Sequence, residues 1–173
     1  LRPYVLISIP QALADTIKSE PARCKPAKHR PQATGGASSS YQATALTKSI
    51  TPASTSSKIL VLVSFGFYAV SGDARATLYR DSTKLAAPVA GSRGRGIKMS
   101  SFGHSTSDAN STPDSANFSY YDSPNTTSAI TYAVAFSNTT SGVVVYLNRT
   151  VNNADTVTYE RGVSVLMAQE IAV

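Results

Sequence analysis

Residues 50–67 read ITPASTSSKILVLVSFGF. A turn-rich polar segment, 51–57, leads into an unbroken apolar run: Ile59, Leu60, Val61, Leu62 and Val63. The run is too short to cross a bilayer, which takes about 20 apolar residues. It is rich in β-branched side chains and bounded by Ser, Thr, Pro and Gly, the pattern of a strand buried on both faces. Such a strand needs two packed sheets or a subunit interface to cover it.

The chain from Tyr41 onward supplies further strands at the spacing of a sandwich. Strands are predicted at 41–50, 58–67, 74–80, 84–90, 97–102, 117–121, 129–136, 142–147 and 161–172. Turn formers flank 74–80 at Ser71, Gly72, Asp73, Asp81 and Ser82. The pair 129–136 and 142–147 reads as a hairpin across 137–141. In the closing strand, Val163, Val165 and Met167 fall on one face, as period-two alternation requires of a half-buried strand. With no internal helix signal and no repeat of fixed period, 41–173 is expected to be one all-β domain, an antiparallel β-sandwich.

Residues 1–40 read differently. Val5, Ile7 and Ile9 share a face of a short strand, and Leu13 and Ile17 form a two-turn helical stripe that is marginal alone. Pro21, Pro26 and Pro31 then punctuate a basic stretch and forbid helix, and 33–40 (ATGGASSS) is a flexible linker. This is an extended N-terminal arm. Residues 1–33 carry six Lys or Arg against two Asp or Glu, a net +4 of the chain's +6. Arg23, Lys25, Lys28 and Arg30 are therefore the expected anchoring cations. The remainder holds ten cations against eight acids, so the domain-wide basic stripe of a nucleic-acid binder is missing. Neither nucleic acid nor membrane is an expected partner. The lone Cys24 makes no intrachain disulfide, and a chain that starts at Leu1 is expected to be processed or partial.

Charged residues make up 15% of the 173, below the usual level of about 25%. Ser, Thr, Asn and Gly replace them, as on a neutral polar extracellular or virion surface. Chemistry is sparse. His29 and His104 stand without Cys, Asp or Glu at ligand spacing, so no metal or other cofactor is expected. The stretch 91–100 (GSRGRGIKMS) lacks the Gly-Lys-Ser/Thr ending and following helix of a phosphate loop. It reads as a glycine-rich turn presenting Arg93 and Arg95, for a subunit contact or a small anion. Most Asp residues sit beside turn formers, and no carboxylate pair stands out. Five sequons, at Asn110, Asn117, Asn125, Asn138 and Asn148, fit an Asn/Ser/Thr-rich composition. Nine Tyr and no Trp supply rigid rings with polar tips. His104, Tyr120, Tyr121 and Asn125 are the candidate surface-recognition positions, with Tyr68 beside them.

The motif ITPASTSSKILV resembles one in tailed-bacteriophage fibre and virion surface proteins. ATLYRDST (76–83), DSPNTTSAITY (122–132), YLNRTVNNAD (146–155) and MAQEIA (167–172) resemble further pieces of the same family in the same order, with Gln169 as an extra residue. The resemblance covers about 45–172 and leaves the arm outside. It implies a virion protein rather than an enzyme, built as a homotrimer of jelly-roll-like β-sandwiches. Two functions follow: a tail-fibre tip touching host glycan or receptor, or a capsid decoration protein tethered to other virion proteins by its arm. A glycan-degrading enzyme comes third.

Overall fold

The computed structural model describes residues 22–23, 32–34, 41–69, 73–86, 88–89, 91–101, 112–140, 142–152 and 154–172. Every regular element among them is a strand. The order is β1 (Ala22–Arg23), β2 (Gln32–Thr34), β3 (Gln42–Ile50), β4 (Lys58–Ala69), β5 (Asp73–Arg80), β6 (Thr83–Leu85), β7 (Lys98–Ser101), β8 (Asp114–Asp122), β9 (Ile130–Asn138), β10 (Val144–Leu147) and β11 (Val165–Ile171). They form two antiparallel sheets packed together in a β-sandwich-like arrangement.

β4 is the axis of the first sheet. β8 runs along one edge, pairing Ile59 through Phe67 with Asp122 through Asp114. β11 takes 58–64 of the other edge and β10 takes 67–69. The second sheet is organised on β5 and β9, with β3 outside β9 and with β6 and β7 sharing the far edge of β5. Between Ala43 and Thr47 the β3 register shifts. There the Thr44 hydroxyl donates to the Val134 carbonyl at 2.8 Å and accepts from the Leu46 amide at 3.1 Å, supplying bonds that the broken ladder lacks.

Alternation makes the core. Ile59, Val61, Val63, Phe65 and Phe67 point inward from β4, and Leu78, Val134, Phe136 and Leu46 meet them from the second sheet. Phe65 lies 5.2 Å from Phe136 between ring centroids, and Phe67 stacks on Phe136 at 6.4 Å. One end of the sandwich is closed by a buried polar latch. Arg80 Nη1, on β5, donates to both Asp122 carboxylate oxygens at 2.8 Å, and the Tyr132 hydroxyl donates to Oδ2 at 2.7 Å. Asp122 belongs to the first sheet and its two donors to the second. A second node is Asn148, buried with φ at 60°. Its amide donates to the Gly66 carbonyl, its carbonyl accepts from Gly162, and its Oδ1 accepts from the Ser164 hydroxyl.

Three expectations change. Residues 129–136 and 142–147 do not form a hairpin: β9 lies in the second sheet and β10 in the first, so 139–143 crosses between layers. In β11 the inward face is Leu166 and Ala168, preceded by buried Ser164, whereas Val163, Val165 and Met167 face out. Both faces carry apolar residues, and pairing with β4 decides between them. Third, the second face of β4 is open at its middle, where Leu62 is 40% exposed, although Tyr68 on the same face is buried. Within the expected arm, β1 pairs with Val165 and Leu166, and β2 pairs with β10. The helical stripe at 11–19 lies outside the described residues.

Candidate functional site

Two surfaces stand out, one on the outside of each sheet. On the first sheet, cross-strand pairing sets nine outward residues in three rows: Tyr121–Leu60–Gln169, Ser119–Leu62–Met167 and Asn117–Ser64–Val165. None is charged. Directly paired side chains share a face, so apolar side chains from β4 and β11 form one continuous strip. Leu62, Ser64, Asn117, Ser119, Val165 and Met167 line a shallow trough of about 440 Å³. Tyr121, 56% exposed, extends the apolar surface at one corner.

On the second sheet, alternation turns Ala74 and Ala76 into the core and Arg75 outward. Ser137 stands directly opposite Arg75 across the β5–β9 pair. Loop 91–97 folds back over this spot. Gly94 comes so close that a Cβ there would lie 2.1 Å from the Arg75 guanidinium carbon. A Cβ on Gly96 would stand 2.8 Å from the Ala76 carbonyl oxygen and 2.9 Å from the Tyr41 hydroxyl. The glycines of GSRGRG thus serve close approach. The loop is held by the Ile97 amide, which donates to the Ala76 carbonyl at 2.9 Å, and by the Tyr41 hydroxyl, which donates to the Arg95 carbonyl. Lys84, opposite Tyr79 on β6, places its ammonium 4.0 Å over the Tyr41 ring.

The electrostatics of this corner are cationic. Burial and then the Arg95 and Arg75 guanidiniums push the Lys84 ammonium below its ordinary pKa. Burial pushes the Tyr41 hydroxyl up, partly offset by Ser137, Arg75 and Arg95. Ser137 is fully buried, and its hydroxyl is a hydrogen-bonding neighbour of the Tyr41 hydroxyl.

The predicted positions separate. Arg93 is exposed and Arg95 half-buried on the cationic loop. Tyr121 faces out on the uncharged strip, whereas Tyr120 turns inward and packs against the core. Asn125 occupies a turn with φ at 53°. Tyr68 is buried, and so are the sequon residues Asn138 and Asn148. Arg23 lies in β1 beside Val165; Lys25, Lys28, Arg30, His29 and His104 lie outside the described residues. Sequence reasoning missed Arg75, Lys84, Tyr41 and Ser137, which are scattered over 97 positions and meet only through sheet pairing and loop closure. Among the described residues no group of three or more His, Cys, Asp or Glu is placed to hold a metal, and no helix is long and apolar enough to cross a membrane. The sequence matches no known family and no curated protein.

Proposed function

We propose that this chain is a non-enzymatic structural module of a bacteriophage virion, a tail-fibre or receptor-binding type of surface domain that assembles with copies of itself. The ordered motif resemblance supports the virion setting. The observation that carries self-assembly is the uncharged outer strip of the first sheet. A contiguous apolar patch on an exposed face marks an interaction surface. The occupant is a second copy. The chain carries a net +6, and like-charged copies meet most cheaply where no charge is desolvated. Three copies in a ring, each a jelly-roll-like sandwich, is the arrangement that the resemblance favours.

Light scattering on the eluting protein tests this. A trimer elutes at about three times the 18.2 kDa chain mass. Leu62→Glu, at a position already open to solvent, reduces it to monomer with its fold intact. A wild-type monomer at tens of micromolar would sink the reading. Host contact is then tested with whole cells, where Tyr121→Ala reduces adsorption.

The charge split favours a second reading, capsid decoration through the basic stretch at Arg23, Lys25, Lys28 and Arg30. Because β1 and β2 complete the first sheet, its test is charge reversal of Lys25, Lys28 and Arg30 rather than deletion. Loss of incorporation into particles supports it; normal incorporation refutes it.

A further inference from the structure

β8 is the outer strand of the first sheet on the side away from β11; among the described residues it pairs with β4 alone. It runs against β4 from Asp114 to Asp122 without a register shift. Gly66 turns its carbonyl toward Asn148, on the β10 side of β4. Ser115, which faces Gly66 across the β4–β8 pair, therefore points its amide and carbonyl away from β4. Alternation repeats this at Asn117, Ser119 and Tyr121, so free backbone groups line the whole edge. Long edges are ordinarily blunted by a bulge, a proline or a lysine. β3, the long edge of the second sheet, has a register shift and Lys48. β8 has none of these devices. The edge also leaves apolar area uncovered, because Phe118 and Tyr120 pack against the core yet are only half-buried.

We propose that residues 4–9 of a neighbouring copy add to this edge as a further strand, so that copies exchange their N-terminal segments. The segment reads YVLISI and carries no charge. Extended, it spans about 20 Å, the same as 115–121 of β8. Val5, Ile7 and Ile9 share one face and cover Phe118 and Tyr120. Tyr4, Leu6 and Ser8 join the uncharged outer row of β8. Pro3 and Pro10 bound the strand at either end. The position of Ala22 favours a neighbour as the source. Ala22 pairs with Leu166, on the far side of β4 from β8 and level with Phe118. Within one copy, residues 10–21 would run straight across Leu62. They would lay Asp15, Lys18 and Glu20 on the strip assigned above to association. That stretch reaches about 40 Å, enough to pass to a copy seated on the strip. The exchange rests on the self-assembly reading and adds to it the edge at which copies join.

Disulfide trapping in the full chain tests this, with Cys24→Ser removing the native thiol. Ser8→Cys is combined in turn with Ser115→Cys, Asn117→Cys and Ser119→Cys. Directly opposed residues on paired strands have Cα atoms about 4.5–5.5 Å apart, within the span of a disulfide. After mild oxidation, at least one combination is expected to give covalent dimers and trimers on a non-reducing gel, above the level of either single variant. A link closed within one chain, or no link in any combination, overturns the exchange. Ser119→Pro gives an independent readout. It removes an amide hydrogen that β4 does not use, so the Leu62→Glu monomer carrying it keeps its Tm. In the otherwise native chain it raises the concentration at which the trimer dissociates about tenfold. Unchanged dissociation also overturns the exchange. A wild-type monomer would sink self-assembly itself, whereas a wild-type trimer that neither links nor responds to Ser119→Pro sinks the exchange alone.

Discussion

The latch between the two sheets makes the sharpest stability prediction. Tyr132→Phe deletes one hydroxyl and nothing else. That hydroxyl donates to the Asp122 carboxylate at 2.7 Å from a fully buried ring. A hydrogen bond to a charged group contributes about 1.5–3 kcal/mol. Asp122→Asn removes the charge that Arg80 faces. Breaking a buried ion pair costs about 3–5 kcal/mol, but the Arg80 side chain is 22% exposed. Water therefore screens part of the loss, leaving about 2–3 kcal/mol. The two changes share one carboxylate, so the double variant falls short of the sum by roughly 1 kcal/mol or more. Urea denaturation reads this directly: with m of about 2 kcal/mol/M, Tyr132→Phe lowers the midpoint by about 1 M. Alkali supplies an independent check. Burial, and then the adjacent Asp122, raise the Tyr132 pKa well above its ordinary value. The folded state therefore holds this proton where the unfolded state releases it. The stabilisation is complete below about pH 10 and falls by about 1.4 kcal/mol per pH unit above it. Tyr132→Phe abolishes that share of the slope. Strict additivity in the cycle, or an unchanged alkaline slope, would refute the latch as a unit.

Other positions give simpler outcomes. Gly96→Ala drives a methyl against the Ala76 carbonyl, which is backbone and cannot swing away; overpacking of about 1–3 kcal/mol is expected in urea melts. Gly94→Ala meets only the flexible end of Arg75, so its stability changes by less than about 1 kcal/mol in the same melts. Phe136→Ala removes the ring on which Phe65 and Phe67 pack; the cost is about 3–5 kcal/mol, seen as a Tm lower by roughly 6–20 °C. Asn148→Ala forces a β-carbon residue without a local side-chain bond into positive φ and strands the buried Ser164 hydroxyl; a loss of about 2–4 kcal/mol is expected by the same melts.

Much of the second-sheet corner was hidden in the sequence for a definite reason. Arg93 and Arg95 are conspicuous in a glycine-rich turn, but nothing local says what the turn lies against. Arg75 looks like one exposed residue of an alternating strand, and Lys84 like ordinary punctuation after a turn. The Gly94 contact with Arg75 joins positions 19 residues apart through loop closure. The outer strip was partly legible: the unbroken apolar run puts Leu60 and Leu62 on the second face of β4, but that Leu62 lies open there rather than buried was not.

The sequence by itself determined where strands begin and end. Alternation and turn formers act over a few residues, so β3, β4, β5, β8 and β9 lie close to the predicted segments. It also determined that the fold is all-β, because nothing from Tyr41 onward carries a helical period. Only the tertiary structure decided which sheet each strand joined and which face looked inward. β9 and β10, neighbours in sequence, go to opposite layers. In β11, Leu166 and Ala168 win the core over Val165 and Met167, although either set is apolar. The β11 choice depends on register with β4, roughly a hundred residues away, and β9 joins the other layer by pairing with β3 and β5. A register slip of one residue exchanges every side chain between core and surface, and no local pattern records it.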